Sequence, residues 1–271
     1  MLEDSGFLDR GPGHRLAYAR LPGEAPGVMF LGGFRSDMQG AKALHLRDRC
    51  AARRRAFLRF DYSGHGASEG AFEDGTIGGW LADSEAMLLA RTRGPQVLVG
   101  SSMGGWLSLL LAIRHPLRVA GLVLLAPAPD FPQELMWPGL SDAQRAALTG
   151  LGRIELPSAY GPPVPITRAL IEEAKAHRLL PGPIPVRCPV RILQGMADPD
   201  VPWRHALRLV DALPGADVRL QLVKDGDHRL SRPADLALMD EAVEGILRGY
   251  APAAAGGAPV SAASVAASPS R

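Results

Sequence analysis

The sequence predicts an α/β fold, a mainly parallel sheet with helices on both faces, and three observations carry that prediction. Short apolar runs rich in Val, Leu and Phe recur along the chain, each closed by glycine or polar turn residues. Stretches with helical period lie between them. One run, Val97-Leu98-Val99, turns sharply into a helical stretch at a glycine-flanked serine. Parallel strands need such crossovers, and the crossover helices cover the sheet faces.

The elements follow in order. His14 to Leu21 reads as a first short strand. Val28-Met29-Phe30-Leu31 is a buried strand ending at Gly32-Gly33, and Ala41 to Arg53 has helical periodicity. Ala56 to Phe60 is the next strand, followed by the turn-rich Asp61-Tyr62-Ser63-Gly64-His65-Gly66. Trp80 to Arg93 reads as a helix, Val97 to Val99 as a strand, and Trp106 to Ile113 as a helical run. Val119 to Leu125, Val190 to Leu193 and Val218 to Val223 are further strands, and Pro233 to Leu247 is a closing helix. Trp106 and Trp203 belong to helix starts and are expected to pack.

Residues 127–185 break this rhythm. The segment is proline-rich and holds two helical candidates, Ser141–Leu148 and Ile166–Leu179. It enters where a strand ends, and ligands of open α/β sheets bind beyond strand carboxyl ends. It is therefore expected to be a lid, with Trp137 as a candidate ligand contact. Residues 1–250 are expected to form one domain. Residues 251–271 are nearly all Ala, Gly, Ser, Pro and Val, the composition of a disordered tail.

Bulk properties narrow the function. A net charge of +2 over 271 residues indicates neither a nucleic-acid partner nor an anionic membrane. No apolar run approaches the ~18 residues of a membrane span. The start, Met1-Leu2-Glu3-Asp4-Ser5-Gly6, has the features of neither a secretory signal nor a transit peptide, so a cytoplasmic location is expected. Cys50 and Cys188 have no metal-type spacing and read as small buried residues. No cofactor or metal is expected.

The chemistry centres on Gly100-Ser101-Ser102-Met103-Gly104, which matches Gly-x-Ser-x-Gly between strand and helix. That context marks a nucleophile elbow and an α/β-hydrolase fold. Gly66-Ala67-Ser68-Glu69-Gly70 fits the same pattern but lacks a strand before it, so Ser68 reads as a loop residue. A serine needs a base, and the base an orienting carboxylate, in the chain order Ser, acid, His. His228 follows the last strand and is the expected base. Asp198 and Asp200 follow the preceding strand; Asp198, three residues past Gly195, is favoured as the acid. Asp225 and Asp227 are read as turn and solvated residues. The oxyanion hole needs two backbone N–H donors, for which Met103 and Phe34 are the candidates. Phe34 is also a candidate wall of an acyl pocket. Asp61 to Gly66 is expected to be a structural turn.

Several segments together resemble one family. They are Phe60-Asp61-Tyr62-Ser63-Gly64, Leu98 to Leu107, Pro183-Ile184-Pro185-Val186-Arg187-Cys188-Pro189, Gly195-Met196-Ala197-Asp198, Val201-Pro202-Trp203 and Asp227-His228-Arg229. They are similar to the α/β-hydrolase subfamily of the mitochondrial palmitoyl-protein thioesterase, also described as a mycophenolic acid acyl-glucuronide esterase, over roughly Gly27 to Leu247. The resemblance implies cofactor-free hydrolysis of fatty-acyl thioesters, small-molecule or on S-acylated protein, and of some carboxylic esters. It assigns Ser102, Asp198 and His228 as nucleophile, acid and base, and suggests a bacterial relative. Two rival readings are a short-chain carboxylesterase or lactonase and a non-catalytic binding scaffold.

Overall fold

The computed structural model describes residues 2–158 and 161–250, so the expected tail lies outside the described residues. Ten strands are described: β1 (Asp4–Asp9), β2 (Arg15–Leu21), β3 (Glu24–Leu31), β4 (Arg55–Phe60), β5 (Gln96–Ser101), β6 (Val119–Leu125), β7 (Arg153–Ser158), β8 (Gly161–Thr167), β9 (Val190–Gly195) and β10 (Val218–Val223). The helices are α1 (Ala41–Ala52), α2 (Ile77–Arg91), α3 (Met103–Arg114), the single turn α4 (Trp137–Gly139), α5 (Asp142–Leu151), α6 (Arg168–Ala174), α7 (Trp203–Ala212) and α8 (Pro233–Gly249).

Eight strands make one sheet in the order β1-β2-β4-β3-β5-β6-β9-β10. From β4 to β10 neighbouring strands are parallel, while β2 runs antiparallel to β4 and β1 antiparallel to β2. Side-chain alternation splits the core in two. Leu98 of β5 joins Met29, Leu31, Leu122 and Leu124 on the face covered by α2, α3 and α7. Val97 and Val99 join Val28, Phe30 and Val123 on the other face, against α1 and α8. Helix α3 is almost wholly buried, with Trp106 at 0% exposure. Truncating such a side chain costs about 3–5 kcal/mol, so the helix that leaves the elbow is firmly seated.

Three elements differ from the sequence-based expectations. Strand β1 is half-exposed and acidic, without an apolar run to announce it. Helix α2 starts at Ile77 rather than Trp80, because the Thr76 hydroxyl accepts the Gly79 N–H (3.1 Å) and caps it ahead of two glycines that mask the helical pattern. The expected helix Ile166–Leu179 is instead the end of the β7–β8 hairpin, then α6, then a short 3-10 turn. Prolines 157, 162, 163 and 165 are tolerated in that hairpin because each of its strands has a free edge.

The segment 127–185 carries α4, α5, the hairpin and α6. It has a small core of its own, Leu140, Leu148, Ile166 and Ile171, packed against Phe34, Met136 and Trp137. Its ends are tied to the body. Trp106 Nε1 donates to His177 O (3.1 Å) and the Glu173 carboxylate accepts the Gly78 N–H (3.1 Å), while buried Asp130 joins the two ends to each other by accepting from Leu179 and Leu180 N–H (2.8 and 2.9 Å). Among the described residues no helix is long and apolar enough to cross a membrane.

Candidate active site

Parallel strands end on one edge of the sheet, and the candidate residues all lie just past those ends. Ser102 sits between β5 and α3 at φ 54 and ψ −116, a strained conformation for a residue with a side chain. Backbone contacts hold it: Ser102 N–H donates to Leu125 O (2.8 Å), and Ser102 O accepts from Gly105 N–H (2.9 Å). The flanking glycines are required by close approach. A Cβ on Gly100 would stand 2.3 Å from Gly104 O, and one on Gly104 would stand 2.1 Å from Leu31 O. The N-terminus of α3 points at the serine, and its partial positive charge favours an anion there.

The other two candidates converge on it. His228 Nε2 lies 3.1 Å from Ser102 Oγ, and His228 Nδ1 lies 2.8 Å from Asp198 Oδ2. The Asp198 side chain is fully buried and that of His228 is 17% exposed, so the imidazole edge stays reachable. Asp198 is held by further donors: Asp200 and Val201 N–H on Oδ1 (2.8 and 2.9 Å), and Gln194 Nε2 on Oδ2 (3.1 Å). With His228 Nδ1, four donors fix the orientation of this carboxylate.

The loops that carry Asp198 and His228 touch along their backbones. Ala197 N–H donates to Gly226 O (3.0 Å), and a Cβ on Gly195 would stand 2.2 Å from that same oxygen. Half-buried Lys42 donates to Arg229 O beside His228, and desolvation pulls its pKa down to about 8. Asp225 pairs with Arg232 (2.7 Å) and Asp227 accepts the Leu230 N–H (2.9 Å), the turn-forming work expected of them.

Asp200 donates its backbone N–H to Asp198, and its side chain is exposed. Asp198, Asp200 and His228 each place a ligand-type atom within 4.8 Å of the others. The Asp198 oxygens and His228 Nδ1 are already committed to one another and to N–H donors, so this set fits a hydrogen-bonded relay better than a cation.

Met103 follows the serine in the chain, and Phe34 follows Gly33 in the neighbouring loop. A Cβ on Gly33 would lie 3.5 Å from Ser102 Cβ, which puts the β3–α1 loop directly against the elbow. Among the described residues neither the Phe34 nor the Met103 N–H has a protein acceptor. The Phe34 ring packs on Phe72, Trp80 and Phe131 at centroid distances of 5.0, 5.7 and 5.5 Å. The Arg35 side chain reaches across to the carbonyls of Pro162 and Pro163 on β8, both at 3.0 Å. Trp137 is half-buried against the segment's small core, with Arg145 over its ring.

Asp61 performs the structural work expected of its turn, accepting the Met38 and Ala67 N–H groups (2.7 and 2.9 Å). Cys50 is buried and Cys188 half-buried, both as free thiols. Burial pushes their pKa up to about 12 and about 11, so neither is a nucleophile near neutrality. Gln194 went unnoticed in the sequence. Its signal was a polar residue directly after the apolar pair Ile192-Leu193, four positions before Asp198.

Comparison with known proteins extends this picture. Residues 25–238 match the model of the "Alpha/beta hydrolase family". The mouse "Palmitoyl-protein thioesterase ABHD10, mitochondrial" is 41% identical over 235 residues, 86% of this chain and 79% of that protein. The solved structure of mouse alpha/beta hydrolase domain-containing protein 10 superposes with a TM-score of 0.84 at 39% identity, covering 91% of this chain and 99% of that one. A crystal structure from Agrobacterium vitis S4 is similar at a TM-score of 0.87 and 47% identity, again over 91% and 99%. The word mitochondrial in the mouse protein's name is at odds with the cytoplasmic expectation. By its sheet, its strand–serine–helix elbow and this likeness over most of its length, the chain belongs to the alpha/beta hydrolase family, in the subfamily of the ABHD10 proteins, and is a hydrolase.

Proposed function

We propose that the chain cleaves acyl thioesters, and carboxylic esters by the same steps, with Ser102 as nucleophile. The observation that carries this reading is the unbroken line from Asp198 through His228 to Ser102, with contacts of 2.8 and 3.1 Å. His228 Nε2 takes the Ser102 proton as Oγ attacks the acyl carbonyl carbon. The carbonyl oxygen becomes an oxyanion and accepts from the Met103 and Phe34 N–H groups; each such donor is worth about 3 kcal/mol in the transition state. His228 returns the proton to the leaving thiolate or alkoxide, and an acyl-enzyme remains. Water then attacks, gives its proton to His228, and releases the acid and the serine. Asp198 keeps the imidazole in the tautomer with Nδ1 protonated and stabilises its charged form.

Two things support a long acyl group. Mouse, bovine and rat relatives are named palmitoyl-protein thioesterases. The surroundings of the serine are aromatic and apolar, with Phe34, Phe131 and Trp106 in one cluster. The segment 127–185 would act as the lid, since its apolar core closes on Phe34.

The test is hydrolysis of acyl-CoA or S-acyl peptide thioesters and p-nitrophenyl esters over a range of chain lengths, with Ser102→Ala as control. Long-chain thioester cleavage that vanishes in the variant is the expected result. Activity confined to short oxygen esters would keep the triad and replace the substrate class. Full activity in Ser102→Ala would remove the mechanism.

A further inference from the structure

The β3–α1 loop carries one of the two oxyanion donors, and the sheet does not fix it, because β3 ends at Leu31. The loop is a turn closed by Ser36 N–H on Gly33 O (3.1 Å). Arg35, the third residue of the turn, has φ 62, the left-handed conformation in which such a turn prefers glycine. A strained residue of this kind persists only where its surroundings over-determine it.

His65 supplies that restraint. Its Nε2 accepts the Arg35 N–H at 3.1 Å, and its Nδ1 donates to Ser63 O at 3.1 Å. The two bonds select one tautomer, with the proton on Nδ1 and a lone pair on Nε2. The ring is 4% exposed and boxed edge-on by Tyr62, Phe72 and Trp80 at 5.4, 5.2 and 5.2 Å. Burial pulls its pKa down to about 4, so near neutrality the lone pair is free to accept. Phe72 and Trp80 also hold the Phe34 ring, so one aromatic box locates both the acceptor and the residue beside it.

We propose that His65 is a positioning residue for the oxyanion site, acting through Arg35 to set the turn that aims the Phe34 N–H at the reacting carbonyl. The proposal rests on the assignment of Ser102 as nucleophile. Without the acceptor, the Arg35 N–H is orphaned in a strained turn. The turn relaxes by rotating its central peptide plane, and Phe34 loses its fixed place beside Ser102. Asp61 still ties the two loops through Met38 and Ala67, so the fold survives the change.

The experiment measures kcat, KM and thermal unfolding for the wild type, His65→Phe, His65→Gln and Ser102→Ala on one p-nitrophenyl ester. It adds the affinity of each for an alkyl trifluoromethyl ketone, whose adduct carries an oxyanion. Phenylalanine keeps the ring and removes the acceptor. Glutamine restores an oxygen near the former Nε2. We expect His65→Phe to lower kcat by about 10–100-fold, as a misplacement near 1 Å does, with KM within about twofold. Ketone affinity should fall by a similar factor, and His65→Gln should recover most of both. Wild-type kcat in His65→Phe, or equal losses in Phe and Gln variants, overturns the proposal while an inactive Ser102→Ala leaves the nucleophile assignment standing. Full activity in Ser102→Ala overturns both.

Discussion

Gly100 to Gly104 and Gly66 to Gly70 share one pattern of glycines around a serine and use it in opposite ways. At the first, the backbone of Ser102 is held by β5 and α3, and its hydroxyl faces His228. At the second, the serine lies in a loop tied to β2 by Glu69 N–H on Arg15 O (2.9 Å), and its hydroxyl shares in the holding. Ser68 Oγ donates to Asp61 O (2.7 Å) and accepts the Ala17 N–H (2.8 Å). A serine is free for chemistry where regular structure relieves it of supporting its own backbone. The pentapeptide specifies a tight turn, and the flanking elements specify what the hydroxyl does.

The comparison can be broken first at the hydroxyls. Ser102→Ala is expected to lower kcat for ester hydrolysis by more than about 10³-fold with the fold intact. Retained turnover would erase the distinction between the two serines.

Acid sharpens the contrast next, because the Ser68 region contains the buried imidazole of His65. In the unfolded chain that ring titrates near its ordinary value of 6.5, and in the folded chain at about 4. Between these values the unfolded state binds the extra proton. The contribution of this site to stability is therefore complete above about pH 6.5 and is lost as pH falls towards 4. Its size is on the order of 3 kcal/mol. Denaturant unfolding at pH 7 and pH 4.5 should show the wild type losing more stability than His65→Gln; equal losses would refute this.

Gln194→Leu tests the support behind the elbow's partner. It removes one of four donors from Asp198 together with a buried side-chain oxygen, Oε1, that has no partner. An expected tenfold fall in kcat corresponds to about 1.4 kcal/mol, with stability unchanged or raised. Wild-type kcat would show that three donors suffice. The smallest effect belongs to Ser68→Ala. It should cost about 1 kcal/mol by orphaning the Ala17 N–H, read as a lower Tm with kcat intact. A fall in kcat would link this turn to the chemistry more tightly than its contacts do.

Much of this was legible in the sequence because the fold repeats one rule. Each parallel strand carries Val, Leu, Ile or Phe in a short stretch closed by turn residues, and each candidate side chain lies just past the end of one, as Ser102, Asp198 and His228 do past β5, β9 and β10. What escaped had no such local signature. Strand β1 is held by pairing with β2 rather than by apolar burial. The β7–β8 hairpin hid behind its prolines, and the apolar period of Ile166, Leu170 and Ile171 read as one continuous helix. His65 was legible as part of a turn, but its hydrogen bond to Arg35 spans 30 positions, and no local spacing encodes it.

The Arg35 side chain gives the 127–185 segment a second meaning. Its guanidinium is bonded to two carbonyls of β8, while its own amide is bonded to the imidazole below. Lifting the hairpin breaks the first pair of bonds and slackens the residue that makes the other. Free energy spent on moving the hairpin is thereby shared with the turn beside Ser102, and linkage makes that sharing mutual. An adduct that tightens the turn must also hold the hairpin down. The strength of that grip can be read without any chemistry, as slower amide exchange in β7 and β8 when the serine carries a tetrahedral adduct.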